Sequence, residues 1–210
     1  MLCSEDAGKE LDWYRGTKAR TLCDLYESAT FENVHRLWLA HLPQKPGSAL
    51  DVGTGSGRDA AALRQRGWHV VAVDCSPDML REAQRRHPDA GILWMNDSLP
   101  HLGVITDERF DVILCSAVWM HLNRKERVTG MKTIRRLLAN NGISIITLRH
   151  PPDLTRHMFD VTIAETTDLA RRKGLVVLQA THSRDPIPEW LRPDISWSTV
   201  VVQRNDDIRL

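Results

Sequence analysis

The chain opens with apolar residues that recur every three or four positions, from Glu10 to Leu42. This spacing predicts amphipathic helices. Two prolines and a glycine within residues 42–48 then break the pattern. We therefore expect an N-terminal helical segment over residues 1–45 and one larger domain over residues 46–210.

After this break, short apolar runs alternate with helix-like segments. The runs predicted as strands are residues 48–52, 68–73, 92–95, 110–115, 143–148, 175–180 and 197–203. Apolar residues recur with helical spacing in residues 58–65, 77–87, 124–139 and 165–172. This alternation predicts an α/β fold, with a doubly wound, mostly parallel seven-stranded sheet covered by helices on both faces. No helical period separates the last two runs, so we expect the last strand to be antiparallel.

Two stretches, residues 150–164 and 181–196, are longer than ordinary connections. Loops of this length in a compact domain are often functional. The second contains Trp190, and two interpretations stay open for it: the loop covers a binding site, or it only joins two edge strands.

Composition excludes some classes of protein. In the 210 residues, 28 Lys and Arg balance 27 Asp and Glu, for a formal net charge of +1. Such a balance does not favour a nucleic-acid partner. The four cysteines form no CxxC pair, so we expect no metal site. No apolar run is long enough to cross a bilayer, and the N-terminus is polar. We expect a cytoplasmic protein without a membrane partner; monomer and homodimer both remain open.

The stretch "DVGTGSGRD" carries the strongest chemical signal. Glycines at the end of a first strand let the backbone turn tightly and approach a ligand. The spacing is GxGxG, however, and the carboxylates of Asp51 and Asp59 would repel a dinucleotide pyrophosphate. No lysine followed by Ser or Thr completes a phosphate-binding P-loop. Carboxylates beside exposed N–H groups suit a ligand with an ammonium group, a carboxylate and a positive centre, such as S-adenosylmethionine.

Four stretches together resemble the class I S-adenosylmethionine-dependent methyltransferases. "LDVGTGSGRD" resembles the first motif of that family, "VVAVDCSPDML" the second, "WMNDSLP" the acidic strand end that follows, and "FDVILCSAVWMHL" the fourth. The resemblance implies a Rossmann-like methyltransferase fold. It also implies S-adenosylmethionine as cofactor and S-adenosylhomocysteine as product.

The resemblance assigns roles to residues of this sequence. The methionine portion of the cofactor is expected at Asp51, Gly53, Gly55 and Gly57. Asp74 is expected to bind the ribose hydroxyls with Cys75 and Ser76 beside the adenosine, and Asp97 to face the adenine amino group with Ser98 and Leu99 beside the ring. The remaining predicted cofactor contacts are Tyr26, Thr54, Arg58, Asp59, Ser116 and Trp119.

Each of these residues also has a purely structural interpretation. Asp59, Asp74 and Asp97 could each cap a helix or turn. Trp119 could be an ordinary core residue. Acids at successive strand ends are harder to explain by capping, and this favours binding.

The acceptor side is less defined by the sequence. In-line methyl transfer depends mainly on alignment, and a base helps only where the nucleophile carries a proton. His121 and His150 are the candidate catalytic bases, although each could equally be bonded into a loop. In related enzymes an N-terminal tyrosine covers the cofactor. The resemblance therefore predicts that Tyr26, and with it the segment of residues 1–45, covers the site.

These observations favour transfer of a methyl group to an O, N or S nucleophile of a small molecule. Three alternatives remain: modification of tRNA or of a protein side chain, a non-catalytic domain that senses S-adenosylmethionine, and an NAD-dependent oxidoreductase.

Overall fold

The computed structural model describes residues 11–88, 91–184 and 194–206. In the N-terminal segment, helix α1 spans Gly16–Glu27 and helix α2 spans Phe31–His35, and single 3-10 turns lie at Leu11–Tyr14 and Leu39–His41. The helical pattern is interrupted before α2 because the Thr30 hydroxyl accepts a hydrogen bond from the Asn33 N–H at 3.3 Å and begins a new helix.

Seven strands form one sheet. They are β1 (Ser48–Val52), β2 (His69–Asp74), β3 (Ile92–Asn96), β4 (Phe110–Cys115), β5 (Leu138–His150), β6 (Leu175–Arg184) and β7 (Ser196–Arg204). Their order in the sheet is β3-β2-β1-β4-β5-β7-β6. Strand β7 lies between β5 and β6 and pairs antiparallel with both, whereas the other neighbouring strands pair parallel. The predicted doubly wound α/β sheet with an antiparallel last strand is confirmed.

Four helices connect the strands and cover the sheet. They are α3 (Arg58–Gln65), α4 (Pro77–Arg86), α5 (Arg124–Leu137) and α6 (Ile163–Arg172). Side chains of the residues just before three of them accept hydrogen bonds from the first turn: Ser76 for α4, Asn123 for α5 and Thr162 for α6. Helix α3 instead follows a left-handed glycine, Gly57.

The strands are buried on both faces. Leu50 and Val52 of β1 belong to the core under α5 and α6, and Ala49 of the same strand belongs to the core under α3. In β4, Ile113 and Leu114 divide between the same two cores. This follows from the two-residue period of a strand, and it explains why the strands appear in the sequence as continuous apolar runs.

The two long stretches contain more regular structure than expected. Strand β5 continues to His150, and a 3-10 turn at Leu154–Arg156 follows it. Strand β6 continues to Arg184. Trp190, the residue considered as a cover, lies outside the described residues.

The strand order reverses direction between β1 and β4. Ligands of open α/β sheets bind at this switch point, at the carboxyl ends of the strands. The glycine-rich loop after β1 and the loop after β4 face each other there. Within the described part of the chain, no helix is long and apolar enough to span a membrane.

The different burial of two leucines predicts different losses of stability when each is replaced by alanine. Leu114 in β4 has an exposed fraction of 0%, whereas Leu93 in the edge strand β3 is 53% exposed. Replacing Leu114 by Ala should lower the free energy of unfolding by about 2–5 kcal/mol, because the change leaves a cavity. Leu93→Ala should cost less than about 1 kcal/mol. Urea denaturation of both variants tests this, and equal losses would contradict the assigned core.

Candidate functional site

A cavity of about 410 Å³ opens at the carboxyl ends of β1, β2 and β4. Its size lies in the usual range for small-ligand sites. Most of the residues predicted from the sequence line it. These are Tyr26, Gly53, Thr54, Gly55, Arg58, Asp59, Asp74, Cys75, Asp97, Ser98, Leu99, Ser116 and His121.

The glycine-rich loop follows β1 and turns sharply into α3. The Thr54 N–H donates to the Val73 carbonyl at 2.9 Å, which fixes the loop against β2. Gly53 has a φ of +66°, and a Cβ there would collide with the Val118 side chain from the loop after β4. A left-handed φ together with a close approach explains why only glycine fits. The loop therefore presents bare backbone to the cavity.

Asp74, at the end of β2, binds backbone N–H groups of the glycine-rich loop and of the turn that follows β2. Its Oδ2 accepts from the Gly55 N–H at 3.0 Å and its Oδ1 from the Ser76 N–H at 2.8 Å. Burial raises the pKa of Asp74 to about 6, although both N–H donors favour the charged form. Each carboxylate oxygen has two lone pairs. One on each oxygen thus remains for a ligand with two adjacent hydroxyls.

Asp51 lies behind the loop and does not line the cavity. Its Oδ2 accepts from the Thr54 hydroxyl at 2.6 Å, so its role in the structure is to hold Thr54. Burial and the nearby charge of Asp59 raise the pKa of Asp51. Burial alone would also raise the pKa of Asp59, but Arg58 and His35 together lower it well below its usual range.

Asp59 is the centre of a buried network. It accepts from Arg58 Nε at 2.7 Å and bonds His35 Nε2 at 2.8 Å. Arg58 Nη1 in turn donates to the Tyr26 carbonyl at 2.8 Å. This network joins the N-terminal segment to the glycine-rich loop, and Tyr26 packs beside Gly55.

Asp97 organises the loop after β3. Its Oδ1 accepts from the Ser98 N–H at 2.7 Å and its Oδ2 from the Val104 N–H at 2.8 Å. Ser98 and Leu99 follow it in the cavity wall. The carboxylate thus shapes the loop while it faces the cavity.

The loop after β4 contributes Ser116, Ala117 and Val118 to the wall. Ala117 has a φ of +59°, which is unusual for a residue with a Cβ. Its N–H donates to the Thr147 hydroxyl of β5 at 2.8 Å, and this bond holds the strained turn in place.

Four side chains, Tyr14, Tyr26, His121 and Arg156, meet across the cavity and form the tyrosine–arginine cluster. Arg156 Nη2 donates to the Tyr14 hydroxyl at 2.7 Å and to the Tyr26 hydroxyl at 2.9 Å. The Tyr14 hydroxyl is 3.1 Å from His121 Nε2. The cluster thus connects the N-terminal segment to the Leu154–Arg156 turn and to the loop after β4.

The cluster has a defined protonation state at neutral pH. Burial and then the Arg156 charge lower the pKa of His121 to about 4, so this imidazole is neutral. Burial raises the pKa of Tyr14 well above its usual range, so its phenol stays protonated. Because the Tyr14 oxygen already accepts from Arg156, its proton is available to His121 Nε2.

Two predicted site residues do not reach the cavity, the candidate base His150 and the predicted cofactor contact Trp119. His150 lies on the opposite face of the sheet, where Nε2 bonds the Ser198 hydroxyl at 2.9 Å. Alternation along β5 is the reason, because Thr147 and Arg149 line the cavity and the next residue points away. Trp119 is fully buried in the core beside Gly130. The expectations that these two side chains face the ligand are therefore corrected.

Gly57 and Ser76 also lie outside the cavity wall. Gly57 packs against Ala83 and Trp94, and its φ is +84°. The Ser76 hydroxyl caps α4 and donates to the Tyr14 carbonyl at 2.5 Å. Both residues act on the shape of the site, Gly57 by close packing and Ser76 by holding Tyr14.

Several lining residues were not predicted. They are mainly Tyr14, Arg36, Thr147, Arg149, Arg156, Ser183, Trp197 and Thr199. The two-residue alternation of β5 and β7 could have indicated those on the strands. The sequence has no local signal that pairs Tyr14 with Arg156.

Comparison with known proteins agrees with this geometry. A family model described as a methyltransferase domain matches residues 49–142. An uncharacterized methyltransferase of Mycobacterium tuberculosis is 29% identical over 147 residues, which cover 67% of this chain and 71% of that protein.

Two similar solved structures contain S-adenosylhomocysteine. One is 1,6-didemethyltoxoflavin-N1-methyltransferase of Burkholderia thailandensis, with a TM-score of 0.74, 19% identity, and coverage of 98% of this chain and 92% of that chain. The other is magnesium protoporphyrin IX methyltransferase of Synechocystis, with a TM-score of 0.71, 16% identity, and coverage of 96% and 100%.

The chain contains a methyltransferase domain over residues 49–142, and its fold is that of the two solved methyltransferases. Solved structures of that fold hold S-adenosylmethionine or S-adenosylhomocysteine. The residues present fit this group: the glycine-rich loop offers a cradle that a Cβ at Gly53 would fill, and Asp74 keeps free lone pairs for two hydroxyls.

The glycine-rich loop generates a prediction. Gly53→Ala should weaken S-adenosylhomocysteine binding about tenfold or more, because a left-handed alanine costs about 1–2 kcal/mol and its methyl group would collide with Val118. Titration calorimetry measures the affinity. Gly103→Ala is the matched control, since a Cβ at Gly103 meets no atom within 4 Å. Equal affinities for the two variants would contradict the assigned cradle.

Proposed function

We propose that this enzyme methylates an O, N or S nucleophile of a small molecule bound in the cavity of about 410 Å³. The observation that carries the proposal is the closure of the cavity by the tyrosine–arginine cluster. A bond of 2.9 Å from Trp13 Nε1 to the Thr155 carbonyl reinforces the same closure. A site covered in this way suits a small acceptor better than a folded macromolecule. Both solved structures named above are methyltransferases of small molecules, which supports the proposal.

We assign the cofactor contacts as follows. Asp74 would accept both ribose hydroxyls, Asp97 would face the adenine with Ser98 and Leu99 beside it, and the glycine-rich loop would hold the methionine portion. When bound, S-adenosylmethionine would supply a methyl group on a positive sulfur to a nucleophile that attacks in line, and this sulfur would become the neutral thioether of S-adenosylhomocysteine. The chain's task is then to align the acceptor and exclude water.

The N-terminal segment is proposed to cover this site, with residues 46–210 as the methyltransferase domain. Arg58 binds the carbonyl of Tyr26 and so fixes the end of α1 beside the glycine-rich loop. Tyr26 then lies next to Gly55 and reaches Arg156 with its hydroxyl. These contacts support a cover that is attached to the cofactor loop itself.

We propose that His121 positions Tyr14 and does not act as a strong base. Its lowered pKa, about 4, makes its neutral nitrogen a good hydrogen-bond acceptor but a weak base at neutral pH. The Tyr14 hydroxyl, 3.1 Å away, is held between this nitrogen and Arg156. An acceptor that already lacks its proton would suit such a site.

The ribose assignment predicts how cofactor binding depends on pH. Ionised Asp74 accepts hydrogen bonds with both oxygens, and protonation removes one acceptor. Because the pKa of Asp74 is raised to about 6, S-adenosylhomocysteine affinity should be constant above that pH and fall as pH decreases through it. Asp74→Ala should weaken binding by about 1–3 kcal/mol at neutral pH and remove this part of the pH dependence. Titration calorimetry across pH measures both effects.

Asp168→Ala is the control, because Asp168 is an exposed acid on α6 that pairs with Arg171. It should bind S-adenosylhomocysteine as the unmodified protein does. Unchanged affinity in Asp74→Ala would remove Asp74 from the ribose role.

The acceptor class is tested by following the methyl group. Purified protein is incubated with S-adenosylmethionine labelled in its methyl group and a bacterial extract, and the products are separated by size. We expect the label in the small-molecule fraction. Label in tRNA or in protein would instead support the macromolecular alternative, and tight cofactor binding without any transfer would favour a sensing domain.

A further inference from the structure

Arginines dominate the charge of the cavity wall away from the cofactor loops. Arg36, Arg149 and Arg156 all line the cavity. Arg58 lines it as well, but it is paired with Asp59 at 2.7 Å. The acceptor side of the cavity is therefore a positively charged environment, although the net charge of the whole chain is only +1.

Arg156 is the most distinctive of these residues because its bonded partners are neutral. Its Nη2 donates to two phenol hydroxyls, and its Nε is buried without a hydrogen-bond partner. Among the described residues no carboxylate lies within ion-pair distance of it. Asp153, next to this turn, accepts from the Thr155 hydroxyl at 2.6 Å, and the charges of Arg149 and Arg156 help that bond to lower the pKa of Asp153. A partly buried guanidinium without a bonded counter-charge is costly, and an anionic ligand would offset that cost.

The acids of the cavity wall are already bonded and belong to other parts of it. Asp74 and Asp97 accept backbone N–H groups at the cofactor loops. Glu126 accepts from the Asn123 N–H at 2.7 Å as part of the cap of α5. Asp59 is bound to Arg58 and His35. None of these four carboxylates forms a hydrogen bond to Arg156, whose side chain bonds the two tyrosines.

The rest of the acceptor side combines aromatic and hydroxyl groups. Phe159 and Trp197 offer aromatic surface, and Thr147 and Thr199 offer hydroxyls. Such a wall fits a ligand with an apolar body and one charged end. The positive sulfur of the methyl donor would add a further positive charge and disfavour a cationic acceptor.

We propose that the methyl acceptor is a small organic acid whose carboxylate binds Arg156 and whose apolar body packs against Phe159 and Trp197. This proposal rests on the proposed function. A carboxylate is deprotonated at neutral pH, which agrees with a site whose histidine is a weak base.

The experiment compares acids with their neutral amides. The purified 210-residue chain, saturated with S-adenosylhomocysteine, is titrated with benzoate and benzamide, and with phenylacetate and phenylacetamide, by calorimetry. We expect each carboxylate to bind about tenfold or more tightly than its amide, since hydrogen bonds to a charged group are the stronger ones. Arg156→Gln should abolish this preference when the variant is likewise saturated with S-adenosylhomocysteine.

Two further variants distinguish the effect of the Arg156 charge from the effect of the closed arrangement of the tyrosine–arginine cluster. Tyr14→Phe removes a partner of Arg156 but keeps the guanidinium, so the preference for carboxylates should persist. Arg171→Gln removes an exposed charge on α6 and should have no effect. If Tyr14→Phe loses the preference as completely as Arg156→Gln, the closed arrangement and not the charge is responsible, and the proposal is wrong.

The remaining outcomes are equally decisive. Equal affinity for acids and amides, or no carboxylate binding at millimolar concentration, would overturn the proposal while the methyltransferase function stands. A large loss of S-adenosylhomocysteine affinity in Arg156→Gln would assign Arg156 to the cofactor. Failure of the unmodified protein to bind S-adenosylhomocysteine at all would instead overturn the cofactor assignment.

Discussion

The buried ion pair between Arg58 and Asp59 holds the two parts of this molecule together. The Trp38 indole can only donate, so His35 Nδ1 accepts from it and His35 Nε2 carries the proton that is donated to Asp59. His35 thus links Trp38 to Asp59 in a fully bonded network. Removing one partner of such a pair typically costs about 3–5 kcal/mol. Because Arg58 also binds the Tyr26 carbonyl, the position of the cover depends on the same charges that begin α3.

The architecture was largely predictable because it follows from local patterns. Continuous apolar runs separated by helical spacing predicted the sheet, and the missing helix before residue 196 predicted the antiparallel last strand, as observed. The errors lie at the ends of elements. The predicted end of the fifth strand, residue 148, is two residues short of His150. Strand ends extend through backbone pairing, and β7 pairs with β5 as far as His150, which no local sequence pattern reveals.

Local motifs indicated the residues of the proposed cofactor side, and they indicated the proposed acceptor side only in part. Asp74 is the last residue of β2 and Asp97 directly follows β3. A short sequence motif therefore contains both the strand and its acidic residue. Tyr14 and Arg156 are far apart in sequence and meet only because the N-terminal segment folds over the cavity. His150 was assigned to the cavity although alternation along β5 places it on the other face. The Arg149 side chain lines the cavity instead.

The antiparallel strand β7 explains why different structural elements form the proposed cofactor side and the proposed acceptor side of the site. Parallel strands bring their carboxyl ends to one edge, where the loops after β1, β2 and β4 form the cofactor side. Strand β7 runs the other way, so its first residues, Trp197 and Thr199, lie at that same edge opposite Arg149 and Thr147 of β5. The acceptor wall is thus formed by side chains on paired strands, whereas the cofactor wall is formed by loop backbone. A change of side chain at Trp197 alters the acceptor wall without moving a backbone N–H of the glycine-rich loop. Under the proposed assignment, specificity for the acceptor and affinity for the methyl donor therefore depend on different structural elements.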